Sequence, residues 1–272
     1  MDTSDSSPTA LPAPTPAEAD ALARLYDLDL VEDPGDLDLY LALAARTGGP
    51  ILELAAGTGR LAVPLAQQGY AVTGVDIEPA MLARARARAA DARGGAIADL
   101  RLEAGDARSV RLPDAGRYRL AFVALNSLFL MGGREDQQAV VATLAARLAP
   151  GGLAVVDVWL PDADDLGRYD GRVMLEYPRR DPTTGRHVVK IGSAIHDAAT
   201  STVQLTTIYE EGDPGQPALR WIRRDVMRLV GADELRAFAT SAGMSVESVA
   251  GGYDLEPFGP GAERAILIAV RP

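Results

Sequence analysis

The stretch Ile51 to Asp76, ILELAAGTGRLAVPLAQQGYAVTGVD, constrains this chain more than any other. Ile51, Leu52 and Leu54 form the apolar run of a short buried strand, and Gly57-Thr58-Gly59 makes a turn. Leu61, Ala62, Leu65 and Ala66 recur at helical spacing, Gly69 closes that helix, and Ala71 to Val75 form a second strand. Asp76 stands at its tip, seventeen positions after Gly59. The sum is a nucleotide-binding βαβ unit. Its glycines let a ligand approach the backbone, and its carboxylate accepts hydrogen bonds from ribose hydroxyls.

Which nucleotide it takes turns on Glu53. Gly57-Thr58-Gly59-Arg60-Leu61-Ala62 fits the G-x-G-x-x-G/A pattern of a dinucleotide oxidoreductase using NAD. A pyrophosphate is anionic and favours helix-terminal amides with no carboxylate nearby, yet Glu53 lies four residues before Gly57. A nucleoside bearing ammonium and sulfonium groups tolerates that charge.

The pattern E-x-A-x-G-x-G at Glu53, Ala55, Gly57 and Gly59, followed by a helix and Val75-Asp76, resembles the class I S-adenosylmethionine-dependent methyltransferases. Further segments are similar to that family in the same order: Leu102 to Arg108 to its third strand and adenine loop, Leu120 to Asn126 to its fourth strand. Leu148 to Gly152 resembles the turn before its fifth strand, and Glu263 to Val270 its last, antiparallel strand. The resemblance implies a Rossmann-like, mostly parallel seven-stranded α/β sheet with helices on both faces. It implies S-adenosyl-L-methionine as cofactor and methyl transfer to nitrogen or oxygen of a small metabolite. It places Gly57 and Gly59 under the cofactor's methionine and ribose, with Ala55 and Arg60 in the same loop. Glu53 would orient loop amides or a water near the ammonium, or else pair with Arg60. Asp76 would accept both ribose hydroxyls, Ile77 would cover adenine, and Met81 would pack there or in the core. Asp106 would accept the adenine amino group, with Ala107 offering an amide and Gly105 keeping the approach open. Asn126 would face the methyl group or the cofactor carboxylate. Tyr26-Asp27 matches a pair that folds a tyrosine over the cofactor in family members, whereas Tyr40 reads as core.

The 272 residues suffice for one large domain with an insertion. Five parts are expected: a disordered tail over 1–15, an N-terminal helical lid over 16–48, the cofactor core over 49–170, an antiparallel β insertion over 171–230, and C-terminal elements over 231–272. Alternating strands and helices in the core predict a parallel sheet covered on both faces. In the insertion, Val188 to Ile195, Val203 to Tyr209 and Leu219 to Leu229 alternate as strands, with Arg172 to Tyr177 a candidate fourth. That insertion is a lid or a homodimer surface.

With 47% hydrophobic residues, no long apolar run and no basic or apolar leader, the chain reads as cytoplasmic, with no membrane partner. No cysteine is present, which excludes thiolate zinc sites, iron–sulfur clusters and cysteine-nucleophile base methylation. A net charge of −11 argues against nucleic-acid substrates. The arginines at 84, 86, 88 and 93 read as a solvated helix face, and those at 220, 223, 224 and 228 as an exposed strand face.

A neutral amine needs no base before attack on a methyl sulfonium, whereas a hydroxyl or activated carbon does. The chain has two histidines, His187 and His196, both in the insertion and on opposite faces if the strand is regular. Tyr177, Tyr209, Trp159 and Asp157 are further pocket candidates, and the base stays open. Leu120 to Leu130 contains no acid, so no metal is expected. A fold-sharing protein that binds the cofactor without methylating remains the alternative.

Overall fold

A computed structural model describes residues 14–32, 34–92, 97, 99–113, 116–213 and 215–272. The tail expected over 1–15 lies almost wholly outside the described residues, as does Arg93. Thr15 is described, and it caps the first helix. Its hydroxyl accepts from the Glu18 amide while the Glu18 carboxylate reaches back to the Thr15 amide, and Pro16 occupies the first turn.

The helices in chain order are α1 (Pro16–Asp29), α2 (Leu37–Thr47), α3 (Ala62–Gln67), α4 (Pro79–Asp91), α5 (Arg134–Arg147), α6 (Ala163–Gly167) and α7 (Ala232–Ser241). The strands are β1 (Ile51–Leu54), β2 (Val72–Asp76), β3 (Leu100–Ala104), β4 (Tyr118–Val123), β5 (Leu148–Trp159), β6 (Asp170–Arg180), β7 (His187–Asp197), β8 (Thr202–Gly212), β9 (Leu219–Arg228), β10 (Ser245–Ala250) and β11 (Arg264–Val270). Seven of them form one sheet in the order β10-β11-β5-β4-β1-β2-β3, parallel except for β11, which runs antiparallel to both neighbours. Strand alternation sends side chains to two cores. Leu52, Leu54, Val123 and Val156 meet α5 and α7 on one face. Ile51, Phe122, Val155 and Ile268 meet α2 and α3 on the other. Strand order reverses between β1 and β4, the crevice where open α/β sheets bind ligands at the carboxyl ends of their strands.

The insertion forms a separate antiparallel sheet, β6-β7-β8-β9. Its two faces differ. Tyr177, Val188, Tyr209 and Trp221 pack against Leu22, Leu25 and Leu28 of α1. On the other face Leu175, Ile191, Ile208 and Ile222 stand in register across all four strands. Leu175 is 64% exposed and Ile222 44%. No described helix is long and apolar enough to cross a membrane.

Candidate functional site

The glycine turn leaves β1 through strained backbone. Ala55 has φ 58°, a left-handed conformation rare for a residue with a side chain, followed by Gly57 at 54° and Gly59 at 75°. The two glycines serve different ends. A β-carbon on Gly57 would meet only Tyr26 Cε1, at 3.8 Å, whereas one on Gly59 would lie 3.0 Å from Ala85 Cβ and 3.1 Å from Val63 Cγ2. Gly57 thus borders open space, and Gly59 lets α3 and α4 close on the turn. Gly105 is likewise filled from within the protein, since a β-carbon there would stand 2.9 Å from Val110 Cγ2.

Asp76 is fixed in place by two backbone amides. Its Oδ2 accepts the Gly57 amide at 2.7 Å and its Oδ1 the Glu78 amide at 2.9 Å, at the edge of the cleft. One lone pair on each oxygen is spent on orientation, which leaves acceptor capacity on both. Beside it Ile77 is 61% exposed, an apolar side chain open to a flat ring. Met81 is half-buried in the first turn of α4.

Glu53 is buried, and its Oε2 has no hydrogen-bond partner among the described residues. Burial pushes its carboxyl up to about 8, against the pull of the Arg60 charge, while Asp36 adds to the push. The expected alternative, an ion pair of Glu53 with Arg60, does not form. Arg60 instead makes a two-pronged pair with the fully buried Asp36, at 2.5 and 2.7 Å. Tyr40 is core, stacked on Phe122 with ring centroids 4.3 Å apart.

α1 is tied to the glycine turn by Asp27. The Thr58 hydroxyl donates to Asp27 Oδ1 at 2.6 Å, Arg84 Nε to Oδ2 at 2.7 Å, and Arg88 to Oδ1 at 2.9 Å. Two of the arginines expected to form a solvated helix face are therefore clamps that press Tyr26 onto Gly57. In the adenine loop Asp106 accepts three bonds from the Arg108 guanidinium, which holds its carboxyl below the usual range. Ala107 is buried beneath it.

Past β4 the backbone is strained again, with Leu125 at φ 47° and Asn126 at 65°. Asn126 Oδ1 accepts the Trp159 amide at 2.6 Å and Arg264 at 3.3 Å. Asp157, fully buried, pairs with Arg264 at 2.6 Å and accepts Leu125 N–H and the Tyr253 hydroxyl. Burial pushes the Asp157 carboxyl up, and Arg264 pulls it back. This cluster floors a groove of roughly 840 Å³ lined by Pro34, Gly35, Trp159, Tyr253, Arg264 and the loop 251–263. Asp36, Tyr253 and Arg264 carried no motif. The one hint was a charge opening an otherwise apolar final strand.

The β7–β8 register runs unbroken from His187 to Asp197, so the two histidines do take opposite faces. His187 is exposed on the face away from α1, and half-buried His196 lies on the face toward it. Tyr177 and Tyr209 do not stand free for catalysis. Both donate to Asp29 at the end of α1, which also pairs with Lys190 at 2.9 Å.

Residues 51–152 match the family model of a methyltransferase domain. A dTDP-3-amino-3,4,6-trideoxy-alpha-D-glucopyranose N,N-dimethyltransferase of Streptomyces venezuelae is 27% identical over 239 residues, covering 85% of this chain and 92% of that protein. A dTDP-3-amino-3,6-dideoxy-alpha-D-glucopyranose N,N-dimethyltransferase of Streptomyces fradiae is 24% identical over 85% of this chain and 86% of its own. The crystal structure of Streptomyces venezuelae DesVI is similar at a TM-score of 0.71 and 25% identity, covering 92% of this chain and 98% of that one. Fold, site and relatives agree: the chain is a class I methyltransferase. It is an S-adenosylmethionine-dependent enzyme.

Proposed function

We propose that the enzyme transfers its methyl group to the amino nitrogen of a small, sugar-like acceptor. The observation that carries this reading is the similarity, over 85% of the chain, to an enzyme named for N-methylating an amino sugar. The site chemistry supports it. Asp157 is committed to Arg264, Tyr177 and Tyr209 to Asp29, and His187 faces away from α1, which leaves half-buried His196 as the one histidine on the inner face and suits a neutral amine that needs no base.

When bound, S-adenosylmethionine supplies an electrophilic methyl whose leaving group is a neutral thioether. The residues fit it. Asp76 takes the ribose hydroxyls, exposed Ile77 covers adenine with Met81 behind it, and Tyr26 closes over the sulfonium above Gly57. The unpartnered Oε2 of Glu53 favours the ammonium end. Asp106 and Ala107 take the adenine edge, with Gly105 allowing the loop to fold. Ala55, Arg60 and Asn126 shape the turn and the floor. The acceptor enters by the groove floored by Asn126 and Arg264, and α1 and the antiparallel sheet close the site against water. Incubating the protein with labelled S-adenosylmethionine and a 3-amino-3-deoxyhexoside should give N-methyl product. Transfer only to hydroxyl acceptors would sink the reading.

The sheet serves as lid and dimer surface at once. Its outer face presents the in-register row Leu175, Ile191, Ile208 and Ile222. Four strands of 10 or 11 residues make a face of roughly 700 Å², enough for a stable pair with a second copy. Leu175→Lys with Ile222→Lys should yield monomers by light scattering, and an unchanged mass would remove this half of the reading.

A further inference from the structure

We infer that the acceptor reaches the methyl group as an amine carrying no nucleoside diphosphate, an inference that rests on the amine-methylation reading above. A diphosphate needs cations or helix-terminal amides that are not already neutralised. This chain has 27 lysines and arginines, of which Arg93 alone falls outside the described residues. Those around the cleft are matched to carboxylates. Arg60 pairs with Asp36 at 2.5 Å, Arg264 with Asp157 at 2.6 Å, and Arg223 with Asp225 at 2.7 Å. Lys190, the chain's single lysine, sits 2.9 Å from both Asp29 and Glu176. Helix α2, which starts beside the groove, opens on Asp36, whose carboxylate is held by Arg60, and carries Asp38 in its first turn, so acid and no free cation stands at that helix end.

The groove's own surplus has the opposite sign. Asp254, Glu256 and Glu263 line it, are exposed, and have no cation partner among the described residues. Paired cations inside and unpaired carboxylates at the lip repel a diphosphate and attract an alkylammonium. The names of the Streptomyces relatives give those enzymes dTDP-linked sugars. Here the charge pattern fits the same amine chemistry on a phosphate-free carrier.

The test uses the full chain with S-adenosylhomocysteine bound. Thymidine diphosphate is titrated calorimetrically, and initial rates are compared for one 3-amino sugar as its methyl glycoside and as its dTDP conjugate. The inference expects no saturable diphosphate binding up to about 5 mM. It expects kcat/KM at least about tenfold higher for the glycoside, an advantage that shrinks with added salt. Glu256→Lys with Glu263→Lys should narrow that preference by about tenfold. Saturable diphosphate binding, or preference for the conjugate, overturns the inference, and loss of such binding in Arg223→Gln would show the Asp225 pair opening to read phosphate. If neither sugar is methylated, the amine reading fails, and the diphosphate titration still decides this inference on its own.

Discussion

The two sheets of this methyltransferase are tied to their surroundings by different means. At the parallel sheet the site is backbone at strand tips: the positive-φ turn after β1, and Asp76 oriented by the Gly57 and Glu78 amides. At the antiparallel sheet the docking onto α1 is side chain to side chain across great sequence distance. Arg24 reaches Glu211 at 187 positions, and Asp29 reaches Tyr209 at 180. Backbone geometry is set by residue spacing within a short segment, whereas long-range pairs leave no spacing to read. A cofactor common to many enzymes suits the first construction, and an acceptor particular to one suits the second.

The largest effect belongs to the parallel side. Asp76→Ala should weaken S-adenosylhomocysteine binding by roughly 2–4 kcal/mol, because the two charge-assisted ribose bonds proposed for it would go and the Gly57 amide loses its acceptor. The unliganded protein should melt nearly where it did. Unchanged affinity in calorimetry would place the ribose elsewhere and erase the contrast between the sheets.

The antiparallel side should respond in turnover. Asp29→Ala removes the acceptor of Tyr177, Tyr209 and the Lys190 pair, so the sheet should open more easily by about 1–3 kcal/mol. Turnover should fall about tenfold while cofactor affinity changes by less than about twofold. Equal losses in both would mean that the two sheets act as one unit.

A smaller effect concerns pH. Glu53 has a folded value of about 8 against an ordinary 4.5, so between those limits the folded chain keeps a proton that the unfolded chain has released. Stability of the free protein should therefore fall as pH rises from 4.5 to 8, and Glu53→Gln should flatten that slope. Cofactor binding near pH 7 should release a proton as the ammonium meets the carboxylate. Binding enthalpies identical across buffers of different ionisation heat would contradict that linkage.

Legibility in the sequence followed the same division. The strand–turn–helix–strand unit, the four inserted strands and the closing antiparallel strand were readable, because period-two and helical patterns and glycine punctuation are local. The partner of Arg60 was not. Asp36 lies 24 positions away in a turn with no motif of its own. Arg84 and Arg88 looked like a solvent face because helical spacing shows which residues share a side, not what stands opposite, and Asp27 stands opposite. Gly59 and Gly105 were read as ligand glycines, although Ala85 and Val110 fill their space. Gly57, by contrast, borders open space beside Tyr26.

The division of labour between the sheets can be tested in a single hydrogen-exchange series on the full-length protein, free, with S-adenosylhomocysteine, and with added amine acceptor. The account predicts that cofactor alone slows exchange around Gly57, Asp76 and Tyr26, and that β7 to β9 slow further only when the acceptor is present. Exchange in β7 to β9 that ignores both ligands and follows protein concentration alone would contradict it, leaving the antiparallel sheet as a dimer surface with no part in the reaction.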